Sequence, residues 1–256
     1  MRLGLSQGLS TGGFVPSAAA WSNAYSCDFD GSDDYVNCAT GSDINFMHTA
    51  ATLGYWAKHD SSGDSIRGIG IDESGKDFFM GIYAPYNATW ALIGDGSSYA
   101  TITSVTGLTG WDKEDWNHYA VTISGNDLKT YVNGIQVSAT TWTANSSKNP
   151  TVNFFIGGAN NGSGGLTNRI NGKVDEVAIW NVALDAAALL KVYNSGDPID
   201  LTEDDGDYDN SSNLFSYWRM GDDDGGSGST ITDQGSGSND GTISGGVSFS
   251  SDLPSS

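Results

Sequence analysis

The sequence predicts an all-β fold, a sandwich of two antiparallel sheets. Short segments in which apolar and polar residues alternate recur along the 256 residues, and turn-forming residues separate them. Glycine occupies 35 positions, and only four of the 31 acidic residues are glutamate, so the acidity comes from aspartate, which favours turns. Only one segment has clear helical spacing. Evenly spaced short strands are typical of a sandwich, and about 200–250 residues commonly form one such domain.

The N-terminal half is predicted as strands linked by hairpins. Tyr25, Cys27 and Phe29 alternate with polar residues and begin the pattern. Residues 73–76, Glu-Ser-Gly-Lys, separate two strand segments and indicate a hairpin. The later strand segments of this half are 53–58, 66–72, 77–83, 91–93 and 99–105.

The C-terminal half continues the same pattern. Asn133-Gly134 is the strongest hairpin signal, because both residue types accept the positive φ angles of a two-residue turn. Residues 125–127, Gly-Asn-Asp, mark another turn. The strand segments here are 116–124, 128–132, 135–137, 152–157, 172–180 and 214–220, with two short closing strands at 242–243 and 247–249.

The single predicted helix begins after Asp185, a good N-cap residue, and ends at Gly196. Leu189, Val192 and Tyr193 share one face of it. This apolar face predicts that the helix packs on a sheet edge.

The two cysteines, Cys27 and Cys38, flank Asp30-Gly31-Ser32-Asp33, which reads as a hairpin turn. Pairing around that turn would place the cysteines nearly opposite each other, so a cross-strand disulfide is geometrically possible. Two small buried thiols are the favoured alternative, because cysteine is among the most buried residue types.

Charge and hydropathy exclude several functions. The formal net charge is −20, whereas phosphate binding requires a clustered basic surface, so no nucleic-acid partner is predicted. No apolar run approaches the roughly 18 residues of a membrane span, so no membrane partner is predicted either. Residues 1–20 make a poor secretory signal, and we expect residues 1–21 to form an N-terminal arm.

Five motifs occur in a characteristic order: Phe-Asp-Gly-Ser-Asp-Asp-Tyr-Val at 29–36, Trp-Ala-Lys at 56–58, Trp-Asn-His-Tyr-Ala at 116–120, Tyr-Val-Asn-Gly at 131–134 and Gly-Lys-Val-Asp-Glu-Val-Ala-Ile-Trp-Asn at 172–181. Together they resemble the laminin-G-like domains of the concanavalin A-like lectin/glucanase superfamily. The resemblance implies a jelly roll over residues 22–196. An acidic loop at 197–213 and a C-terminal extension at 214–256, with closing strands packed on the same domain, would follow. That extension is similar to those of phage and environmental structural proteins.

Catalysis is not predicted. Glucanases of this superfamily carry Glu-x-Asp-x-x-Glu on one strand, and this pattern is absent from the sequence. Asp112, Glu114 and Asp115 come closest, in a segment that reads as a loop, while Asp175 and Glu176 are expected to point to opposite faces of their strand. The sequence also has no Gly-x-Ser-x-Gly nucleophile motif.

The resemblance implies a structural calcium ion, which takes carboxylate and backbone oxygens from several loops. Carried over to this sequence, its ligands would be Asp175 and the backbone at Asp30 or Gly31, with Asp33-Asp34 as a second option. The alternative is that Asp175 only hydrogen-bonds a neighbouring hairpin.

Sugar binding would use exposed aromatic rings. Trp90, Trp111 and Trp142 lie in turn-like surroundings and are the candidates for stacking on a glycan, although packing beneath a loop is the common alternative. Four tryptophans lie in predicted strands and are expected in the core: Trp56, Trp116, Trp180 and Trp218.

Three functions follow from these observations. The first is a non-catalytic structural protein on the surface of a virus particle, a phage capsid-decoration or tail-associated subunit that binds host glycans. It would form homo-oligomers and contact other virion proteins through its N-terminal arm. The second is a secreted or cell-surface carbohydrate-binding or adhesion module. The third, a glycoside hydrolase, is the least favoured.

Overall fold

The computed structural model describes residues 21–38, 40–60, 66–71, 78–83, 88–94, 99–104, 111–143, 152–163 and 165–255. The predicted arm before Trp21, the predicted turn at 73–76 and the predicted strand ends at 72, 77 and 105 lie outside the described residues. One α-helix, α1 (Ala186–Tyr193), accompanies eighteen strands in the described part. The strands are β1 (Ser26–Asp30), β2 (Tyr35–Cys38), β3 (Ala50–His59), β4 (Ile66–Ile71), β5 (Phe78–Tyr83), β6 (Ala88–Gly94), β7 (Tyr99–Ser104), β8 (Asn117–Ser124), β9 (Asp127–Val132), β10 (Ile135–Thr141), β11 (Phe154–Ile156), β12 (Ala159–Asn160), β13 (Leu166–Thr167), β14 (Asn171–Trp180), β15 (Leu214–Trp218), β16 (Thr230–Ile231), β17 (Gly241–Ser244) and β18 (Ser248–Ser250).

These strands form two sheets, as the sequence predicts. The first sheet has the order β10–β9–β8–β3–β14–β1–β18, and β15 also pairs with β14. The second has the order β16–β17–β2–β11–β4–β5–β6–β7, and β12 pairs with both β4 and β13. Every pairing is antiparallel except that of β12 with β4. The fold is therefore a two-sheet antiparallel jelly roll with one short helix.

The main core lies between the sheets and follows from strand alternation. On β5, Phe78, Met80 and Ile82 point inward and are almost completely buried. They meet residues of the first sheet such as Tyr55, whose hydroxyl donates to the carbonyl of Met80. The hydrogen bond satisfies the one polar atom that this side chain brings into the apolar layer.

The hairpins predicted around β9 form as expected. Asn133 and Gly134 have φ angles of 51° and 73°, and Val132 pairs with Ile135 across them. Positive φ at both positions defines the two-residue turn that matches the twist of the flanking strands. Gly125, with a φ of 58°, lies in the turn between β8 and β9.

The predicted hairpin around Gly31 is wrong. β1 pairs with β14 and β18 in the first sheet, whereas β2 pairs with β11 and β17 in the second. Residues 31–34 thus carry the chain across the sandwich. Cys27 and Cys38 are both buried and free, so the alternative of two core thiols is confirmed and the cross-strand disulfide is not formed.

The helix begins as predicted but packs differently. The Asp185 side chain accepts from the backbone N–H of Ala188, and Asn194 ends α1 in the left-handed conformation. Leu189 and Val192 bury themselves on the outer face of the first sheet, against residues such as Trp180. The expected location at a sheet edge is wrong, because β14 and β15 present an apolar outer face that the helix covers.

The C-terminal region completes both sheets. β15 pairs with β14 and β18 with β1 in the first sheet, while β17 pairs with β2 in the second. Trp218 is fully buried and its ring stacks on Phe154, with centroids 6.1 Å apart. No helix among the described residues has the length and apolar character needed to cross a membrane.

Candidate functional site

The site begins with an irregularity in the central strand of the first sheet. Asp175 pairs with Trp56 and Ala178 with Gly54, so two residues of β14, Glu176 and Val177, lie opposite one residue of β3. Glu176 has a φ of 47°, which is unusual for a residue with a side chain. This bulge breaks the strand's alternation at Asp175-Glu176.

The bulge corrects the expectation that Asp175 and Glu176 point apart. Asp175 is fully buried and Glu176 is 3% exposed. Repulsion from Glu176 contributes to the raised pKa of Asp175, and Asp222 acts on both carboxyl groups. The two side chains therefore belong to one buried charged cluster, which we define as Asp175, Glu176, Tyr217, Arg219 and Asp222.

Arg219 neutralises part of this cluster. Its Nε lies 3.3 Å from Glu176 Oε1, and its Nη2 lies 2.8 Å from Asp222 Oδ2. The hydroxyl of Tyr217 donates to the other carboxylate oxygen of Glu176. Tyr217 and Arg219 come from the end of β15 and the residues after it, and the pairing of β15 with β14 brings them onto the bulge.

Burial sets the protonation of the cluster. It raises the pKa of Glu176 to about 7, against the lowering effect of Arg219. It also raises the pKa of Asp175 well above its usual range, and Glu176 raises it further. Burial alone would lower the pKa of Arg219, but the carboxylates of Glu176 and Asp222 raise it above its ordinary value. The guanidinium therefore stays charged and forms ion pairs with Glu176 and Asp222.

The cluster holds the first described residues of the chain. Asn23 Nδ2 donates to Asp175 Oδ2 (2.8 Å), and the backbone N–H groups of Ala24 and Tyr25 donate to Asp222 Oδ1 (2.8 and 2.9 Å). Arg219 Nη2 donates to the carbonyl of Ser22 (2.6 Å). These bonds connect residues 22–25 to residues 152 to 198 positions away, so the site exists only in the folded chain.

Above the cluster lies a cleft of about 350 Å³. The ring of Trp21 covers the guanidinium of Arg219, with 4.8 Å between the guanidinium carbon and the ring centroid. Asp200 and Thr202 contribute a second wall from the acidic loop. The cleft is lined by Trp21, Ser22, Ala24, Asp200, Thr202, Arg219, Asp222, Asp223 and Gln234.

The cleft offers an aromatic ring beside oxygen acceptors and an amide. Asp200 Oδ1 accepts from the N–H and the hydroxyl of Thr202, which leaves its other oxygen for a ligand. Within the described part of the chain, the side-chain amide of Gln234 is not hydrogen-bonded, and the residue is exposed. Hydroxyl-rich ligands with an apolar ring face are suited to this combination.

The predicted sugar-binding tryptophans are not brought together. Trp90 lies on β6 rather than in a turn, half-buried, and points outward because its neighbour Ala91 points into the core. In the register of the second sheet it is opposite Gly81, which in turn is opposite Gly68. Trp90 therefore lies across from two successive glycines on the neighbouring strands, and neither glycine carries a side chain.

Trp111 and Trp142 have packing roles. Trp111 Nε1 donates to the hydroxyl of the buried Tyr119 (3.2 Å), and the two rings meet edge to face. Trp142 is only 6% exposed and belongs to the main core. This burial corrects the expectation that Trp142 is a surface residue. Trp56, Trp180 and Trp218 are buried as predicted, whereas Trp116 is half-buried and donates to Asp252.

The predicted calcium ligands are separated. Asp30 pairs with Asn171, four residues from Asp175 along β14, which is about 13 Å in a strand. Asp175 instead accepts hydrogen bonds from the side chain of Asn23 and from the backbone N–H of Glu176. It therefore does not share a site with Asp30 and Gly31.

The second option for calcium has better geometry. Carboxylate oxygens of Asp30, Asp33 and Asp34 lie within 4.8 Å of one another. Asp34 accepts from the N–H groups of Asp30 and Gly246, and within the described ranges no cation pairs with the three acids. Their donor set suits Ca²⁺, so they fit the ion better than Asp175 does, and calcium binding stays a prediction.

The residues weighed for catalysis lie in a turn and in a buried strand. Asp112, Glu114 and Asp115 lie in a turn before β8, where Asp112 Oδ1 accepts from the N–H of Glu114. His118 is buried on β8, and burial lowers its pKa to about 3, so it remains neutral.

The fold and the motifs together identify the family. A laminin-G family model, described as the concanavalin A-like lectin/glucanases superfamily, matches residues 30–189, which is more than half of the chain. The chain belongs to the concanavalin A-like lectin/glucanase superfamily. Residues of the candidate cleft lie on both sides of the matched range, so the cleft is an addition to the region that defines the superfamily.

Solved structures of lectin-like domains share this superfamily fold. A Bacteroides ovatus protein to which carbohydrate binding is attributed superposes with a TM-score of 0.61 at 18% identity, over 91% of this chain and 62% of its own. This chain thus spans less than two thirds of that protein. The CBM40 domain of Ruminococcus gnavus IT-sialidase, bound to α2,3-sialyllactose, superposes with a TM-score of 0.51 at 13% identity, over 65% of this chain and 97% of its own. A search of curated protein sequences finds no match.

Sequence reasoning missed the cleft, although two signals mark it. Arg219 is one of only 11 basic residues, and it precedes Asp222 and Asp223 by three and four positions, inside the aspartate-rich tail. Trp21 stands at the boundary between the predicted arm and the predicted domain. Neither signal shows from sequence alone that the two residues meet.

Proposed function

We propose that the protein is a non-catalytic carbohydrate-binding module and that the cleft beside Trp21 holds the glycan. The observation that carries this proposal is the ring of Trp21 fixed over Arg219 at the wall of a polar cleft. Aromatic rings that are held rigidly beside acceptors and amides are a common way to bind the apolar face and the hydroxyls of a sugar. The lectin-like fold is consistent with this role.

The proposal that the module is non-catalytic rests on where its carboxylates lie. Glycoside hydrolysis needs two carboxyl groups on either side of the scissile bond. Glu176 and Asp175 are buried below the cleft and bonded to Tyr217, Arg219 and Asn23. Asp222 is held by two backbone N–H groups and Arg219. These three carboxylates have structural partners within the protein.

The experiment is glycan binding by the full chain and two tryptophan variants. We expect Trp21→Ala to lower the affinity for a bound glycan by about tenfold or more, because a stacking aromatic contributes on the order of 1.4 kcal/mol. Trp90→Ala is the matched control, since it removes a half-buried indole from the outer face of the other sheet. Loss of binding in Trp90→Ala with an unchanged Trp21→Ala would place the ligand on that sheet face, and absence of binding to any glycan would contradict the proposal. Thermal unfolding of each variant checks that it is folded.

Display on a virus particle is a second proposal, about the setting of the module. It rests on the resemblance to phage structural proteins that the sequence of the C-terminal extension suggests, and it assigns homo-oligomerisation and contacts to virion proteins to the N-terminal arm. The extracellular alternative is a secreted or cell-surface adhesion module. Light scattering distinguishes them: an oligomer that dissociates when residues 1–20 are removed would support the first, and a monomer in both forms would contradict it.

A further inference from the structure

We infer that the cleft selects glycans without acidic groups, so that sialylated, uronic or sulfated sugars are rejected in favour of neutral ones. This inference rests on the proposed function and specifies its ligand class. It concerns a property that the fold does not decide, because the CBM40 domain with a similar fold was solved with the acidic ligand α2,3-sialyllactose.

The first step is that the one cation of the cleft is already engaged. Arg219 is the single basic residue among the described residues that line it. Its Nε faces Glu176 (3.3 Å), and its Nη2 bonds both Asp222 (2.8 Å) and the carbonyl of Ser22 (2.6 Å). Its Nη1 lies 3.6 Å from Asp223. An incoming carboxylate would therefore have to displace an existing partner to pair with this guanidinium.

The second step is that the free polar groups of the cleft are mostly acceptors. One oxygen of Asp200 and one oxygen of Asp223 have no bond to the described residues, and the Asp223 side chain is 32% exposed. A sugar hydroxyl can donate to such carboxylates, whereas a carboxylate or sulfate on the ligand cannot. An acidic group would instead add like-charge repulsion in a partly enclosed site.

The third step is the charge around the cleft. Arg219 is paired with the carboxylate of Asp222, and Asp200 and Asp223 add two further acidic side chains to the lining. The whole chain carries a net charge of −20, which repels anionic ligands over a Debye length of about 8 Å at physiological salt. Local and long-range charge thus act in the same direction.

The test compares matched glycan pairs on the full chain. An array that presents neutral glycans beside their sialylated or sulfated forms gives the preference, and calorimetry on the best pair gives the affinity ratio. We expect the neutral member to bind at least about tenfold more tightly, equivalent to about 1.4 kcal/mol. Equal or stronger binding of the acidic member would overturn the inference and leave the proposed function standing. Absence of binding to either member would instead overturn the proposed function.

Two variants separate the cleft from the overall charge. Asp223→Asn removes a negative charge in the cleft, and Asp209→Asn removes the same charge from an exposed position of the acidic loop that does not line the cleft. We expect Asp223→Asn to reduce the discrimination severalfold and Asp209→Asn to leave it within about a factor of two. Equal effects of the two variants would show that net charge alone discriminates and would overturn the role of the cleft.

Discussion

Glu176 combines backbone and electrostatic roles at a single position. Its positive φ carries a cost of about 1 kcal/mol for a residue with a side chain, and its carboxylate is buried beside Asp175. Bonds from Tyr217 and Arg219 hold the side chain in place. The residue therefore keeps its conformation because β15 supplies partners that Glu176 finds only in the folded protein.

The raised pKa of Glu176 predicts a pH dependence of stability. Its ordinary value is 4.5 and its folded value is about 7, so the folded protein binds the proton more tightly. The contribution of Glu176 to the free energy of unfolding is fully present below pH 4.5 and is lost as pH rises through 7. The loss amounts to up to about 3 kcal/mol. His118 acts oppositely between pH 3 and 6.5, because its pKa is lowered.

The measurement therefore compares the wild type with Glu176→Gln by denaturant unfolding at several pH values. As pH rises from 4.5 to 8, the free energy of unfolding of the wild type should fall relative to that of Glu176→Gln. Parallel stability curves would contradict the assignment of this pH dependence to Glu176.

At the scale of elements, strand pairing imposes close backbone approaches that only glycine accommodates. Gly172 on β14 has a φ of 137°, and a Cβ there would lie 2.2 Å from the carbonyl oxygen of Lys58 on β3. Gly125 also has a positive φ, of 58°, but a Cβ there would meet no atom within 4 Å. A substitution at Gly125 therefore tests backbone strain alone, whereas a substitution at Gly172 tests backbone strain together with steric overlap.

We expect Gly125→Ala to lower the free energy of unfolding by about 1 kcal/mol, which is the backbone cost alone. Gly172→Ala should cost about 3 kcal/mol or more, because the new methyl group would push β3 from β14. Chemical denaturation of both variants gives the comparison. Similar losses for the two would mean that β3 and β14 can separate locally without penalty.

For the molecule as a whole, the sandwich extends beyond the region that defines its superfamily. The family match ends at residue 189, yet β15 pairs with β14 inside the matched region, and β17 and β18 pair with β2 and β1 near its start. Trp218, Met220 and Ile231 are fully buried in the main core. The predicted boundary after Gly196 thus divides a continuous core.

A chain that ends at Gly196 is therefore expected to lose cooperative unfolding. It would lack β15 to β18 and would expose the core surface that Trp218 covers, at a cost of about 3–5 kcal/mol for that side chain alone. Thermal unfolding followed by near-ultraviolet circular dichroism tests this. A chain that lacks residues 1–20 is the control and should unfold cooperatively, and a sharp transition near the wild-type temperature in the shorter chain would contradict the expectation.

Sequence patterns determined the local features of this protein. The two-residue turn at Asn133-Gly134, the cap at Asp185 and most strand centres could be predicted, because each depends on φ preferences, a side-chain bond or alternation within a few residues. Five ordered motifs also indicated the superfamily. The strands β12, β13 and β16 were missed, since two-residue strands carry too little pattern.

Only the tertiary structure decided the sites and the connections between sheets. The turn after β1 has the composition of a hairpin, yet it crosses the sandwich, because β1 and β2 pair with strands of different sheets that lie far away in the sequence. The bulge at Glu176 brings two neighbouring carboxyl groups into one cluster. The pairing of β15 with β14 places Arg219 and Asp222 where residues 21–25 contact them. Such contacts depend on strand order and register, which local spacing does not encode.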